Sequence, residues 1–447
     1  MRRVLAVVSL LAAVGAPRFA AAQRPDELLA AEANELERAG QADQARGVRE
    51  ALLSRFPESA LGPDALVLVG ASFHAQAIYD RAAEAYERYV ERYPVVAAGP
   101  CTDRQRASGM CLSAIEALGN AAYFRYALGQ PDRATADVRM FERLYGATRR
   151  ADAAEMALGI GSQLSRAGAY AAAARAHAEW LAHYGRVIDA DLRLEAQAAL
   201  GEALWKTRDR RGALRAFREA EREWNAVGDP AWEPARATLV IPCGGRGDDA
   251  VEATNARRFA ARSALARARF YLAEEARESL MARSVPPYRG GTSARGLAAW
   301  VDEDLRRFRE GVDAARRAAT SMYEHVAELH VTEWEVASAA RVAEMSHWLH
   351  AILTEPVVPA ALRASPALSA QYLAALDAGS DEARQAEAFA LEQCLAVSIP
   401  ARSFDDWHRR CEAAREALDP VGFAPVAELH AAPDFRPLRP APSRAFP

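Results

Sequence analysis

Lysine is almost missing from this chain: of 56 basic residues among 447, only Lys206 is not arginine. The arginine excess reads as coding bias, not as a binding device. A basic excess is missing as well. The formal charge is −4, and phosphate binding needs a basic face, so no nucleic-acid partner is expected. Cysteines number five, with no CxxC spacing to suggest a metal site. Beyond the N-terminus no run reaches the ~20 apolar residues of a membrane helix. No GxSxG elbow is present. The stretch TLVIPCGGRGDD (238–249) lacks both the Lys-Ser/Thr of a P-loop and the alternating acids of a calcium loop, so it reads as an interdomain loop. Its RGD tripeptide (246–248) is read as chance.

What is present is alanine. Hydrophobic residues make up 51% of the chain and Ala supplies much of that share. Ala is the best helix former, so an all-α fold is expected. The length allows a large core and two or three domains.

The N-terminus, MRRVLAVVSLLAAVGAPRFAAAQ, has the three parts of an export signal. Arg2 and Arg3 give a charged start, Val4 to Val14 an apolar core too short to span a bilayer, and Ala20-Ala21-Ala22 a small-residue cleavage site. Cleavage before Gln23 would remove three arginines and take the charge from −4 to −7. The expected address is a bacterial periplasm; the alternative is an uncleaved apolar anchor. In an oxidising compartment the cysteines can pair. Cys101 and Cys111 bracket a short connector, and Cys394 and Cys411 bracket a helix–turn–helix, which leaves Cys243 alone. The alternative is five packed thiols.

The stretch YDRAAEAYERYVERYP (79–94) recurs. YAAAARAHAEWLAHYG (170–185) aligns Ala173 with Ala82 and His177 with Tyr86. DRRGALRAFREAEREW (209–224) offers Ala213 and Phe217 at the same offsets. Weaker copies carry Ala134 with Val138, and Ala45 with Arg49. In the helices before them, Leu66, Val69, Gly70 and Phe73 fall on one face, matched by Ile160, Gly161 and Leu164 and by Leu200, Gly201 and Leu204. Glycine lets a second backbone come close, the small Ala does the same on the return helix, and the aromatic one turn later fills the adjoining space. Pro94 stops the return helix.

The pattern Leu66-x2-Val69-Gly70-x2-Phe73, then Ala82-x3-Tyr86, then Pro94 resembles the tetratricopeptide (TPR) repeat. The Tyr-Pro ending, with Phe56-Pro57 before it, resembles the subtype of bacterial envelope TPR proteins. The C-terminal half resembles the C-terminal region of periplasmic TPR proteins of deltaproteobacterial envelope and gliding-motility systems. That resemblance rests on TEWEVASAARVAEMSHWLHAIL, a Pro loop, EQCLAVS, and Trp407 and Cys411 in SFDDWHRRCEAAREALDP; it departs at 340–343, where a Gly is expected. The domain reading is therefore 1–22 signal peptide, 23–228 TPR-like repeats, 229–254 linker, 255–418 C-terminal helical repeat-like region, and 419–447 Pro-rich extended tail. Within the C-terminal region helices are expected at 255–283, about 297–328, 333–353, 381–397 and 403–418. The fold class is a TPR-like superhelical array of helical hairpins followed by a C-terminal helical region.

No catalytic constellation stands out and no cofactor is expected. His347 and His350 lie one turn apart and could join a third ligand on a metal, the basis of a hydrolase alternative. Asp302, Glu303 and Asp304 read as a charge run ahead of a helix. Stacked TPR hairpins offer a concave surface from their first helices. The resemblance assigns to that face Asp64, Val67, Ala71 and His74; then Glu155, Leu158, Ser162 and Ser165; then Glu195, Ala198, Glu202 and Trp205. For any one of them the alternative is a plain solvated face. The expected function is a non-enzymatic periplasmic scaffold binding envelope proteins or peptides, with a cell-wall or polysaccharide binder as a further alternative.

Overall fold

The computed structural model describes residues 24–99, 112–228 and 249–423, and all regular structure among these residues is helical. The chain divides into two compact units, Met1–Ile160 and Gly161–Pro447. The first contains α1 (Pro25–Arg38), α2 (Ala42–Arg55), α3 (Gly62–Ala75), α4 (Tyr79–Arg92), the short α5 (Pro94–Ala98), α6 (Ala114–Ala127) and α7 (Pro131–Tyr145). The division point falls within α8 (Arg150–Arg166). The pairs α1–α2, α3–α4 and α6–α7 are hairpins, and α2 on α3 and α4 on α6 join one hairpin to the next.

In the second unit α9 (Tyr170–Tyr184) packs on α10 (Ala190–Lys206), and α10 forms a hairpin with α11 (Arg210–Val227). The stacking then continues into the C-terminal half. Helix α12 (Asp249–Met281) lies on both α10 and α11, and pairs with α14 (Arg306–Ala327). Helix α15 (Thr332–Thr354) lies on both members of that pair, and itself pairs with α17 (Ser380–Ser398). Helix α18 (Asp406–Leu418) closes the stack against α17 and α15. One apolar core runs from Leu194 in α10 to Ala383 in α17. The helices before and after the segment read as a linker therefore share a core, because that segment interrupts composition without interrupting stacking.

Five hairpin turns share one construction. Seven residues after a small residue of the first helix (Ala33, Gly70, Ala122, Gly161, Gly201) the backbone turns left-handed, at Gly40, Ala77, Gly129, Gly168 and Arg208. The next N–H returns to a carbonyl five residues back, as in Ile78 to Phe73 (2.9 Å) and Asp209 to Leu204 (3.0 Å). This is the Schellman closure, which satisfies the last helical carbonyls. Twelve residues after the small residue comes a fully buried Ala: 45, 82, 134, 173 and 213. Sixteen after it comes the space-filling side chain. A methyl group built on Gly70 would lie 2.6 Å from Cδ1 of Tyr86; on Gly161, 2.6 Å from Nε2 of His177; on Gly201, 2.9 Å from Cζ of Phe217. Where the filler is Val138 or Arg49, the small partner is Ala122 or Ala33. Helix α4 ends at Arg92, and Pro94 both prevents its continuation and starts α5.

Several sequence expectations change. Helix α12 starts at Asp249, inside the segment read as linker. The helix expected near 297–328 begins as α13 (Ala294–Trp300) and passes through a π-helical turn, Val301–Leu305, into α14, so Asp302, Glu303 and Asp304 lie inside it and not ahead of it. The proline loop contains α16 (Pro366–Asp377): Pro366 sits at its start, where its missing N–H costs nothing, and the Ser365 hydroxyl accepts from Leu368 N. Arg309 donates to the carbonyls of Ala375, Leu376 and Ala378 at the other end of α16. Leu297, Trp300, Leu305, Leu362, Tyr372 and Leu376 form a separate small core under these inserts. Cys394 and Cys411 are fully buried and disulfide-bonded, tying α17 to α18. Cys101, Cys111, Cys243, the 1–22 segment and the tail beyond Phe423 lie outside the described residues.

Two outcomes follow for stability. Gly201→Ala forces a methyl into the Phe217 ring and should lower unfolding free energy by ~1–3 kcal/mol in urea titration. Removing the Cys394–Cys411 bond by a double Ser substitution should cost ~3 kcal/mol, since the loop it closes is short; differential scanning calorimetry reads it.

Candidate functional site

In the first unit the expected partner-facing positions divide by exposure. Ala71, His74 and Glu155 are exposed and Asp64 is half-buried. Val67 and Leu158 are buried in the helix packing and offer no surface. The four positions keep fixed offsets from the small residue of each copy, so the same offsets apply around Ala122. They give Glu116, Gly119, Tyr123 and Tyr126, which sequence reading passed over because Val138 made that copy look weak. Tyr123 is 52% exposed. It belongs to a ring cluster centred on Phe124, with His74 at 4.8 Å edge-on, Tyr79 at 5.0 Å and Tyr123 at 6.2 Å between centroids. Tyr79 is 38% exposed. The cluster gathers the end of α3, the start of α4 and the last turns of α6 into one apolar, aromatic patch.

In the second unit, Ser162, Ser165 and Glu195 are half-buried, and Ala198 is fully buried. Glu202 pairs with Arg267 at 3.3 Å and accepts from the Tyr271 hydroxyl at 3.3 Å. Trp205 has Arg210 over its ring at 3.4 Å and Tyr271 at 5.3 Å. Arg267 and Tyr271 belong to α12, which lies on α10. The stack thus engages Glu202 and Trp205 and closes over Ala198.

A second surface feature lies at the end of the stack. A groove of about 830 Å³ runs between α15, α17 and α18, with Met281 of α12 also in its lining. Small and apolar residues form its walls, among them Ala343, Ala351, Leu391, Ala414 and Leu418. His347 and His350 both reach it. His347 Nδ1 lies 3.0 Å from Oε1 of Glu387, and His350 Nδ1 lies 3.1 Å from the carbonyl oxygen of Ser380. One nitrogen of each imidazole is therefore engaged within the fold. Among the described residues no group of three or more His, Cys, Asp or Glu converges on a point where a metal ion could sit.

Strongly shifted titrating groups mark functional sites in many proteins, yet two here sit in the packing. His177 is buried against Gly161, neither ring nitrogen has a hydrogen-bond partner, and burial, helped by Arg267, takes its pKa down to about 4. Asp137 is buried in α7, and burial with the nearby Glu87 carboxylate lifts its pKa to about 8 against the pull of Arg125 and Arg133. Arg125, fully buried, donates to Glu87 at 2.7 Å. Neither group faces a cavity among those described.

Their pH effects have opposite sign. Between about 4 and 6.5 unfolded His177 binds a proton that the folded form refuses, so stability falls as pH drops through that window. Between about 3.8 and 8 the folded form keeps the Asp137 proton that the unfolded chain releases, so stability falls as pH rises. His177→Phe should flatten the acid limb of a urea-midpoint profile. Asp137→Asn should raise stability at pH 8 by at least ~1 kcal/mol.

No family model matches the chain, and no curated protein does. Among solved structures it is similar to a chain of the Naa15/Naa10 complex bound to HypK-THB, with 12% identity, 89% of this chain and 64% of that one covered, and a TM-score of 0.25. It is also similar to the P58(IPK) TPR domain, with 14% identity, 88% and 97% coverage, and a TM-score of 0.20. The chain thus spans less than two thirds of the first neighbour's length. Overlaps this loose carry no argument about a site, and the TPR-like array of hairpins stands on the turn and packing register inside this chain.

Proposed function

We propose that this chain is a non-enzymatic scaffold of a bacterial cell-envelope complex, exported to the periplasm, which docks partner proteins on the surfaces of its helical array. The observation that carries the reading is the ring cluster of His74, Tyr79, Tyr123 and Phe124. Its members come from three helices of successive hairpins, and Tyr123 and Tyr79 stand in solvent. Aromatic anchors of this kind dominate the energetics of protein interfaces. The address is supported by the charged start, apolar core and Ala-Ala-Ala site of residues 1–22, and by the bond between Cys394 and Cys411, a pairing typical of oxidising compartments. No helix among the described residues is long and apolar enough to cross a membrane.

Affinity capture from envelope extracts tests it. The double variant His74→Ala, Tyr123→Ala should reduce recovery of specific partners about tenfold with little change in thermal midpoint. Recovery equal to that of the unaltered chain would refute docking at this patch. Fractionation should find the mature chain starting at Gln23 in the periplasm; a full-length cytosolic chain would refute the address.

A further inference from the structure

The charges around the groove between α15, α17 and α18 are unevenly settled. Glu344 is held by Arg341 at 2.6 Å and by Arg277 at 3.5 Å. Glu387 is buried beneath His347. Both carboxylates that line the groove therefore have partners within the fold. Arg384 and Arg410 also line it, and both are exposed. Arg384 donates to the Leu418 carbonyl at 3.3 Å, and Arg410 lies over the Trp407 ring at 4.9 Å. Among the described residues neither has a carboxylate within ion-pair distance. The free charge of the groove is positive.

Apart from its charged groups and histidines the lining is largely apolar, with Met281 and Trp348 beside several alanines. Ala351 on α15 and Ala414 and Ala417 on α18 leave room for a backbone to come close, as the small residues of the array do for its own helices. The volume, about 830 Å³, suits a row of side chains. A helix laid into an apolar groove binds through side chains at i, i+3, i+4 and i+7. We propose that this groove receives an amphipathic acidic helix of a partner protein, with its apolar face on the alanine-lined walls and flanking carboxylates on Arg384 and Arg410. The proposal rests on the scaffold reading and gives the partner's chemistry at a second surface, separate from the aromatic patch.

The disulfide ties the proposal to the fold. Cys411 is part of the groove wall, and its bond to Cys394 fixes α18 on α17.

The test is fluorescence anisotropy with the full, disulfide-bonded chain and two labelled peptides of about 18 residues, long enough to form helix. One carries leucines at helical spacing flanked by glutamates; the other has lysines in place of the glutamates. The acidic peptide should bind, and the basic one at least about tenfold more weakly. Arg384→Glu with Arg410→Glu should weaken the acidic peptide about tenfold or more and strengthen the basic one. Ala417→Trp, at an exposed position, should block both while the thermal midpoint holds. Absence of acidic-peptide binding, or binding indifferent to all three substitutions, overturns the proposal. Saturable binding of dodecanoate at this groove without peptide binding overturns the protein partner in favour of a free fatty acid. Acidic-peptide binding together with envelope recovery that His74→Ala, Tyr123→Ala leaves unchanged refutes the aromatic-patch reading alone; absence of peptide binding together with recovery that this variant lowers refutes the groove alone.

Discussion

Two helices of each repeat approach so closely that one position holds only Gly or Ala. Gly70, Gly161 and Gly201 lie under the rings of Tyr86, His177 and Phe217, each sixteen residues later. Everything else in the repeat serves that contact. The left-handed residue at +7 sets the angle of return, the Schellman bonds close the first helix, and the buried Ala at +12 removes bulk where the second helix begins. A buried ring of this kind is worth ~3–5 kcal/mol against truncation, so the register is held by packing and not by helix propensity. The compensation at Ala122 with Val138 follows the same rule: a smaller filler admits a slightly larger partner.

Two copies fill the ring position with polar groups, at different cost. Arg49 is buried, yet its guanidinium donates to Asn34 at 3.3 Å and pairs with Glu37, both on α1. The planar cation thus replaces a ring and links the hairpin at the same time. His177 has no such partners and is tolerated only as a neutral ring. Exposed arginines behave differently again. Arg81, Arg222 and Arg307 pair with acids one turn away, contacts worth at most a few tenths of a kcal/mol each. The arginine-rich surface is largely a solvated one, and Arg384 and Arg410 differ from it in lining an apolar groove.

The second half departs from the short repeat without leaving its logic. Helices α12, α14, α15 and α17 stack as two further hairpins, longer than those before and interrupted by inserts that fold into a side core around Trp300 and Tyr372. An end of such a stack must present a polar face or be covered. Helix α18 covers it, with Asp406, Arg409 and Glu416 facing solvent and Cys411 bonded inward. Trp407, Ala414 and Leu418 pack this helix onto its neighbours, and the covalent tie adds to that packing.

The helical class and the paired small and aromatic positions were legible along the chain, and Cys394–Cys411 was one of the two pairings expected there. These follow from local spacing, which a single chain displays in full. The register even extends to copies that looked degenerate, since Ala122 and Val138 obey the same interval as Gly70 and Tyr86. Which of the expected surface positions stay exposed is set by stacking. Val67, Leu158 and Ala198 point into packing, and α12 engages Glu202 and Trp205, because whether a helix face is covered depends on the next helix and not on its own residues. The aromatic patch and the terminal groove are likewise products of stacking: the patch brings Tyr123 and Phe124 of α6 to His74 and Tyr79, the groove collects side chains of α12, α15, α17 and α18, and no spacing along the sequence records either meeting.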